Sequence, residues 1–129
     1  MAQYGTIGDV MMMGDAAHAM KTRLRADLRA AMKEGRTKET KLIRALIAAI
    51  DNAEAPPLRA GERATDQHRF HDGSAEVERL FLTPAQVFGV LVIEVQERER
   101  AAVEMSRVNR PDRADALLAE TMLVKRYIE

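Results

Sequence analysis

A chain of 129 residues has room for one domain with one sizeable core. The absence of cysteine excludes disulfides, thiolate metal sites and cysteine nucleophiles together. The formal charge is zero, but Met20 to Arg44 carries nine Lys or Arg against three acids, a net of +6 balanced by −6 elsewhere, so a polyanionic partner is compatible with the total.

Hydrophobic residues make up 47% of the chain and are largely aliphatic, with 8 Met, 3 Phe, 2 Tyr and no Trp, a mixture that favours helices. No apolar run approaches the roughly 20 residues of a membrane-spanning helix, and the start lacks the basic and apolar regions of a signal peptide. The expectation is a soluble, cytoplasmic protein with no membrane role.

In chain order, residues 1–19 show no sustained period, are interrupted by Gly5, Gly8 and Gly14, and read as a flexible extension before a domain spanning 20–129. A first helix is expected over about 20–34: Leu24, Leu28, Ala31 and Met32 share one face, a basic stripe lies beside it, and Gly35 supplies the stop. A second is expected over 37–54 with Thr37 as N-cap and Pro56-Pro57 as terminator. Its apolar residues Leu42, Ile43, Leu46, Ile47, Ala49, Ile50 and Ala53 cover an arc wide enough to meet more than one neighbour.

Residues 56–82 change character, carrying prolines, glycines, His68, His71 and the turn dipeptide Asp72-Gly73, and fit either a small hairpin or an irregular excursion. Thr83-Pro84-Ala85-Gln86 is a capping box with proline at the first helical position. It opens a third helix over 83–108 with the seam Val87, Leu91, Val95, Ala102, Met105 and the i,i+4 pairs Glu94/Arg98 and Arg100/Glu104. The β-rich run VFGVLVIEV alone would also fit a strand; cap and charge pairs decide for helix.

Asn109 can take the left-handed conformation that ends a helix, and Pro111 fits the first turn of the next, over 111–128. Ala114, Leu117, Leu118, Met122, Val124 and Ile128 are expected on its inner face, leaving Leu123 and Tyr127 as apolar surface on the opposite side. The fold class is therefore all-α, a four-helix multihelical domain with an excursion at 56–82.

The basic first helix RLRADLRAAMKEGR, the core helix within KETKLIRALIAAIDNAEA, the long helix EVQERERAAVEM and a final helix ending in RYI cover about 80 of the 129 residues. In content and order they resemble the YqeY-like family, which is related to the C-terminal region of the GatB component of the glutamyl-tRNA(Gln)/aspartyl-tRNA(Asn) amidotransferase. The resemblance implies an all-α domain and a link to carbon–nitrogen ligation with glutamine as amido donor. In that enzyme the related region contacts tRNA while transamidation takes place elsewhere. The 56–82 segment is longer than the family's connection, Asn109-Arg110-Pro111 stands in place of a Gly-Arg pair, and the family's small C-terminal subdomain is expected to be absent beyond Glu129.

Lys21, Arg25, Arg29, Lys33 and Arg36, with Arg44 outside the buried arc of the second helix, are the candidate RNA-binding residues. Spaced cations neutralise backbone phosphates, and the lack of interleaved aromatics points to shape and backbone recognition; the alternative is a solvated helix face. No nucleophile, oxyanion turn or phosphate loop accompanies the acids of the third helix, so no catalytic residue is nominated. His68 and His71 with Asp72 lack a third ligand, and neither a metal nor a cofactor is expected. A second reading makes the chain a protein–protein interaction or self-association module working through Leu123 and Tyr127.

Overall fold

Four helices follow one another in the computed structural model, which describes residues 15–56 and 79–129: α1 (Ala16–Lys33), α2 (Thr37–Glu54), α3 (Pro84–Arg107) and α4 (Pro111–Ile128). No strand is found among the described residues. The Asp72-Gly73 turn signal, His68, His71 and the first fourteen residues lie outside them.

Two left-handed residues fold the helices into hairpins. Gly35, at φ 72°, follows α1; its N–H donates to Met32 O at 3.2 Å, and the Arg36 N–H donates to Ala31 O at 2.8 Å. Asn109, at φ 61°, follows α3 with the same pair of bonds, Asn109 N–H to Ser106 O at 3.1 Å and Arg110 N–H to Met105 O at 2.7 Å. Both are Schellman closures, in which a left-handed residue lets two amides reach back to carbonyls the helix leaves unpaired.

Three local expectations are corrected. Helix α1 begins at Ala16, four residues before Met20, because the Asp15 carbonyl accepts the Ala19 N–H at 2.8 Å and Ala17 is buried against the core. Thr37 is the first helical residue of α2 and not its cap: Arg36 holds the cap position, and the Arg36 carbonyl accepts both the Thr40 N–H and the Thr40 hydroxyl at 2.9 Å. In α3 the Arg100/Glu104 pair does not form; Glu104 pairs with Arg107 at 3.4 Å, whereas Arg98 and Glu94 meet at 2.9 Å as the spacing predicts. The Thr83 capping box is formed reciprocally, with Thr83 Oγ1 accepting from the Gln86 N–H at 3.1 Å and Gln86 Oε1 accepting from the Thr83 N–H at 2.8 Å.

The hairpins pack through Leu24 and Ala31 of α1, Leu42, Ile43, Leu46 and Ile50 of α2, Val87, Leu91 and Val95 of α3, and Val124 and Tyr127 of α4. Leu82, before α3, closes one edge. Each fully buried Leu or Ile contributes roughly 1.5–3 kcal/mol. The broad apolar arc of α2 reflects its position: it contacts α1, α3 and α4.

Candidate nucleic-acid interface

Helix α1 holds its basic residues in two classes that the sequence does not separate. Lys21 is only 3% exposed, and its Nζ lies 2.8 Å from Asp51 Oδ1 and 2.5 Å from Glu54 Oε1 at the far end of α2. Arg79 adds a longer contact to Glu54 at 3.5 Å. This cluster lines a crevice of about 990 Å³ between the start of α1, the end of α2 and Leu80–Leu82. A buried lysine whose charge is taken up by two carboxylates, Glu54 beneath the surface and Asp51 at it, cannot meet a phosphate, so Lys21 leaves the predicted interface. It is a structural ion pair, and such a pair is costly to break from one side.

Arg23 is similarly engaged. Its guanidinium lies over the Tyr127 ring at 4.7 Å and donates to the Arg126 carbonyl at 3.2 Å, tying α1 to the end of α4. Arg36 pairs with Glu34 at 3.0 Å and Glu39 at 2.6 Å; the bond to Glu39 is the main reason its guanidinium holds its proton more firmly than usual. Arg36 is thus exposed but already compensated.

Of the remaining six cations, all exposed, Lys38 stands at the start of α2 and the other five behave differently from the engaged ones. Arg25, Arg29 and Lys33 are exposed along one side of α1, four residues apart, and Lys41 and Arg44 are exposed on α2 at i,i+3 spacing. Arg44 Nη2 reaches across to Met32 Sδ at 3.7 Å, so the α2 cations adjoin the C-terminal half of α1, where Arg29 and Lys33 flank the exposed Met32. Met32 is therefore not the core residue its spacing predicts; its position toward Arg44 sets it in the middle of this basic face. Lys41 joins the face only because α2 lies beside α1, a relation that spacing within one helix does not express.

The three acids of the segment from Met20 to Arg44 are all occupied. Asp27 accepts the Tyr127 hydroxyl at 2.5 Å, and Glu34 and Glu39 are held by Arg36. Among the described residues, no carboxylate lies within 4.0 Å of the side-chain nitrogens of Arg25, Arg29, Lys33, Lys41 or Arg44.

Tyr127 is 7% exposed, within the core, and burial, reinforced by the bond to Asp27, raises its pKa well above the ordinary tyrosine value. It is therefore not the open surface expected of it. Leu123 is half-buried against the core and lines a groove of about 390 Å³ shared with the start of α2. The inner face of α4 is rotated from the expected one: Thr121 and Tyr127 are buried, while Leu118 and Met122 are exposed. The Thr121 hydroxyl donates to the Leu118 carbonyl at 2.6 Å, which allows a polar residue at a buried position and removes the signal that hydrophobicity alone provides.

Among the described residues no buried side-chain polar atom lacks a hydrogen-bond partner. Arg98 pairs with Glu94 at 2.9 Å and Glu120 at 2.8 Å; burial alone would lower its pKa, and the bonds to the two glutamates outweigh it, leaving it raised. Among the described residues there is no group of three or more His, Asp or Glu side chains placed to hold a metal, and no helix is long and apolar enough to cross a membrane. Comparison of the chain with protein-family models, with curated proteins and with solved structures returns no match in any of the three.

Proposed function

We propose that this chain is a YqeY-like, non-catalytic helical module that contacts RNA, tRNA in the first instance, through the exposed face built by Arg25, Arg29 and Lys33 of α1 with Lys41 and Arg44 of α2. The observation that carries this reading is the sorting of charge within the first hairpin. Its acids are committed to Tyr127, Arg36 and Lys21, while a contiguous set of its cations keeps no carboxylate among the described residues. A face left positive in this way attracts phosphates and binds them with an affinity that falls with salt.

The family resemblance supports the choice of tRNA over other polyanions. It also supports a role beside glutamine-dependent amidation in the cytoplasm, as an accessory and not as the transamidating centre. Filter binding with bulk tRNA across a salt series tests the proposal. Binding at low salt is expected, and changing Arg25, Arg29 and Lys33 together to glutamine should flatten the log–log salt slope by about 1 per residue. Absence of binding at low salt, or a slope unaltered in the triple variant, removes the reading.

A second reading, a protein partner on the last helix, is favoured by a different observation: Leu118 and Met122, one turn apart on α4, are 45% and 65% exposed. It shifts the interaction patch from Leu123 and Tyr127 to these two. Sedimentation over a concentration series, comparing the protein with a Leu118→Gln, Met122→Gln variant, checks for self-association there.

A further inference from the structure

We infer that the partner of the basic face is the backbone of an RNA duplex, a stem and not an unpaired strand; the inference rests on the RNA reading above and specifies the form the RNA takes. Three observations point the same way.

The first is regularity. Arg25, Arg29 and Lys33 recur every four residues on a helix that rises about 1.5 Å per residue, so their Cα atoms step forward by about 6 Å. The row is held by the rigid packing of Leu24 and Ala31, buried on the opposite side of the same turns. An evenly spaced row of cations on a fixed helix is matched by the evenly spaced phosphates of a preformed backbone.

The second is what stands between the cations. The exposed residues standing between Arg25 and Lys33 on α1 are Ala26, Ala30 and Met32, none of which has a ring on which a base could stack, and the exposed His18 imidazole lies two turns before Arg25. The exposed aromatics among the described residues, Phe81 and Phe88, belong to the start of the second hairpin, and Tyr127 is buried. Proteins that hold single strands draw much of their affinity from base stacking, whereas a duplex conceals its base faces and offers phosphates and 2′-hydroxyls.

The third is width. The contact of Arg44 with Met32 sets Lys41 and Arg44 beside the α1 row, so the cations are spread over two helices and not strung along a single line. A preformed stem meets such a surface without losing the chain entropy that a flexible strand surrenders on binding.

Competition binding at low salt separates these cases, using a hairpin stem and an unstructured RNA strand with equal numbers of phosphates. The stem should compete about ten-fold better, since the face supplies nothing to offset the ordering of a single strand. Single changes Arg29→Gln, Lys33→Gln, Lys41→Gln and Arg44→Gln should each reduce the salt slope for the stem by about 1, and Arg113→Gln, on the exposed side of α4, should leave it unchanged. Equal or tighter binding of the unpaired strand would overturn the inference while the RNA reading stands. A DNA duplex of the same sequence binding as tightly would overturn the assignment to RNA, and no binding of any nucleic acid would remove both.

Discussion

Hairpin α1–α2 turns through Glu34-Gly35-Arg36 and hairpin α3–α4 through Val108-Asn109-Arg110, with the same two backbone bonds and a left-handed residue at the same place. Their charges differ around the turn. The second hairpin neutralises Arg98 in place, set between Glu94 of its own helix and Glu120 of the facing one. The first does the same for Lys21, with Asp51 and Glu54 at the far end of α2, but toward its turn the acids are drawn off, Asp27 to Tyr127 of α4 and Glu34 and Glu39 to Arg36, and the cations beside them face solvent. The same supersecondary unit thus carries a cation braced by two carboxylates in each half of the molecule, and in the first an uncompensated row of cations beside it.

The largest effect expected from breaking this contrast lies at Lys21. Lys21→Met should cost about 3 kcal/mol in urea unfolding, because Glu54 is left below the surface with only the longer Arg79 contact. Adding Glu54→Gln to the same variant should restore part of that loss, since the cost is that of an unpaired charge. Arg98→Met, in the second hairpin, should cost only about 1 kcal/mol, as its carboxylates, 19% and 38% exposed, can be hydrated. Equal losses in the two hairpins would contradict the distinction between a buried and a surface pair.

Next in size is the link between hairpins. Tyr127→Phe removes the hydroxyl bond to Asp27 and should cost about 1.5 kcal/mol. The raised tyrosine pKa has a definite sign: the folded state favours the neutral phenol, so this contribution is whole below the unfolded value of about 10 and is lost as pH rises above it. The stability difference between the protein and Tyr127→Phe should therefore shrink with increasing alkalinity; a difference constant from pH 8 to pH 11 would sink this account.

The smallest effects sharpen the comparison of the turns themselves. Gly35→Ala should destabilise by about 1 kcal/mol because an L side chain is strained at φ 72°, although no atom lies within 4 Å of where its Cβ would sit. Asn109→Gly should be neutral or stabilising by a few tenths of a kcal/mol, because the second turn uses the less permissive residue. Thermal denaturation of the two variants side by side reads both.

Much of the architecture is legible in the chain because its signals act over a few residues. Thr83 and Gln86 cap each other, Gly35 and Asn109 close the turns, and Pro111 opens the last helix, all as local chemistry dictates. The start of α1 is less legible: Asp15, a residue type favoured at helix caps, holds the N-cap position, but its side chain makes no capping bond, and Ala17 is fixed by the core it enters. The inner face of α4 is misread from hydrophobicity because Thr121, a polar residue, occupies a core position by bonding its own backbone, while Leu118 and Met122 lie outside.

The basic interface divides in the same way. That α1 bears a row of cations follows from their four-residue spacing and the 3.6-residue helical turn, and the sequence alone settles it. Which of them face solvent uncompensated does not follow, because Lys21 and Arg25 are one turn apart on the same stripe and differ only in what α2 brings beside them. Asp51 and Glu54 arrive at Lys21, and no described carboxylate arrives at Arg25. Charge neutralisation acts over a few ångströms between residues thirty or more positions apart, so only the packing of one helix against another decides it.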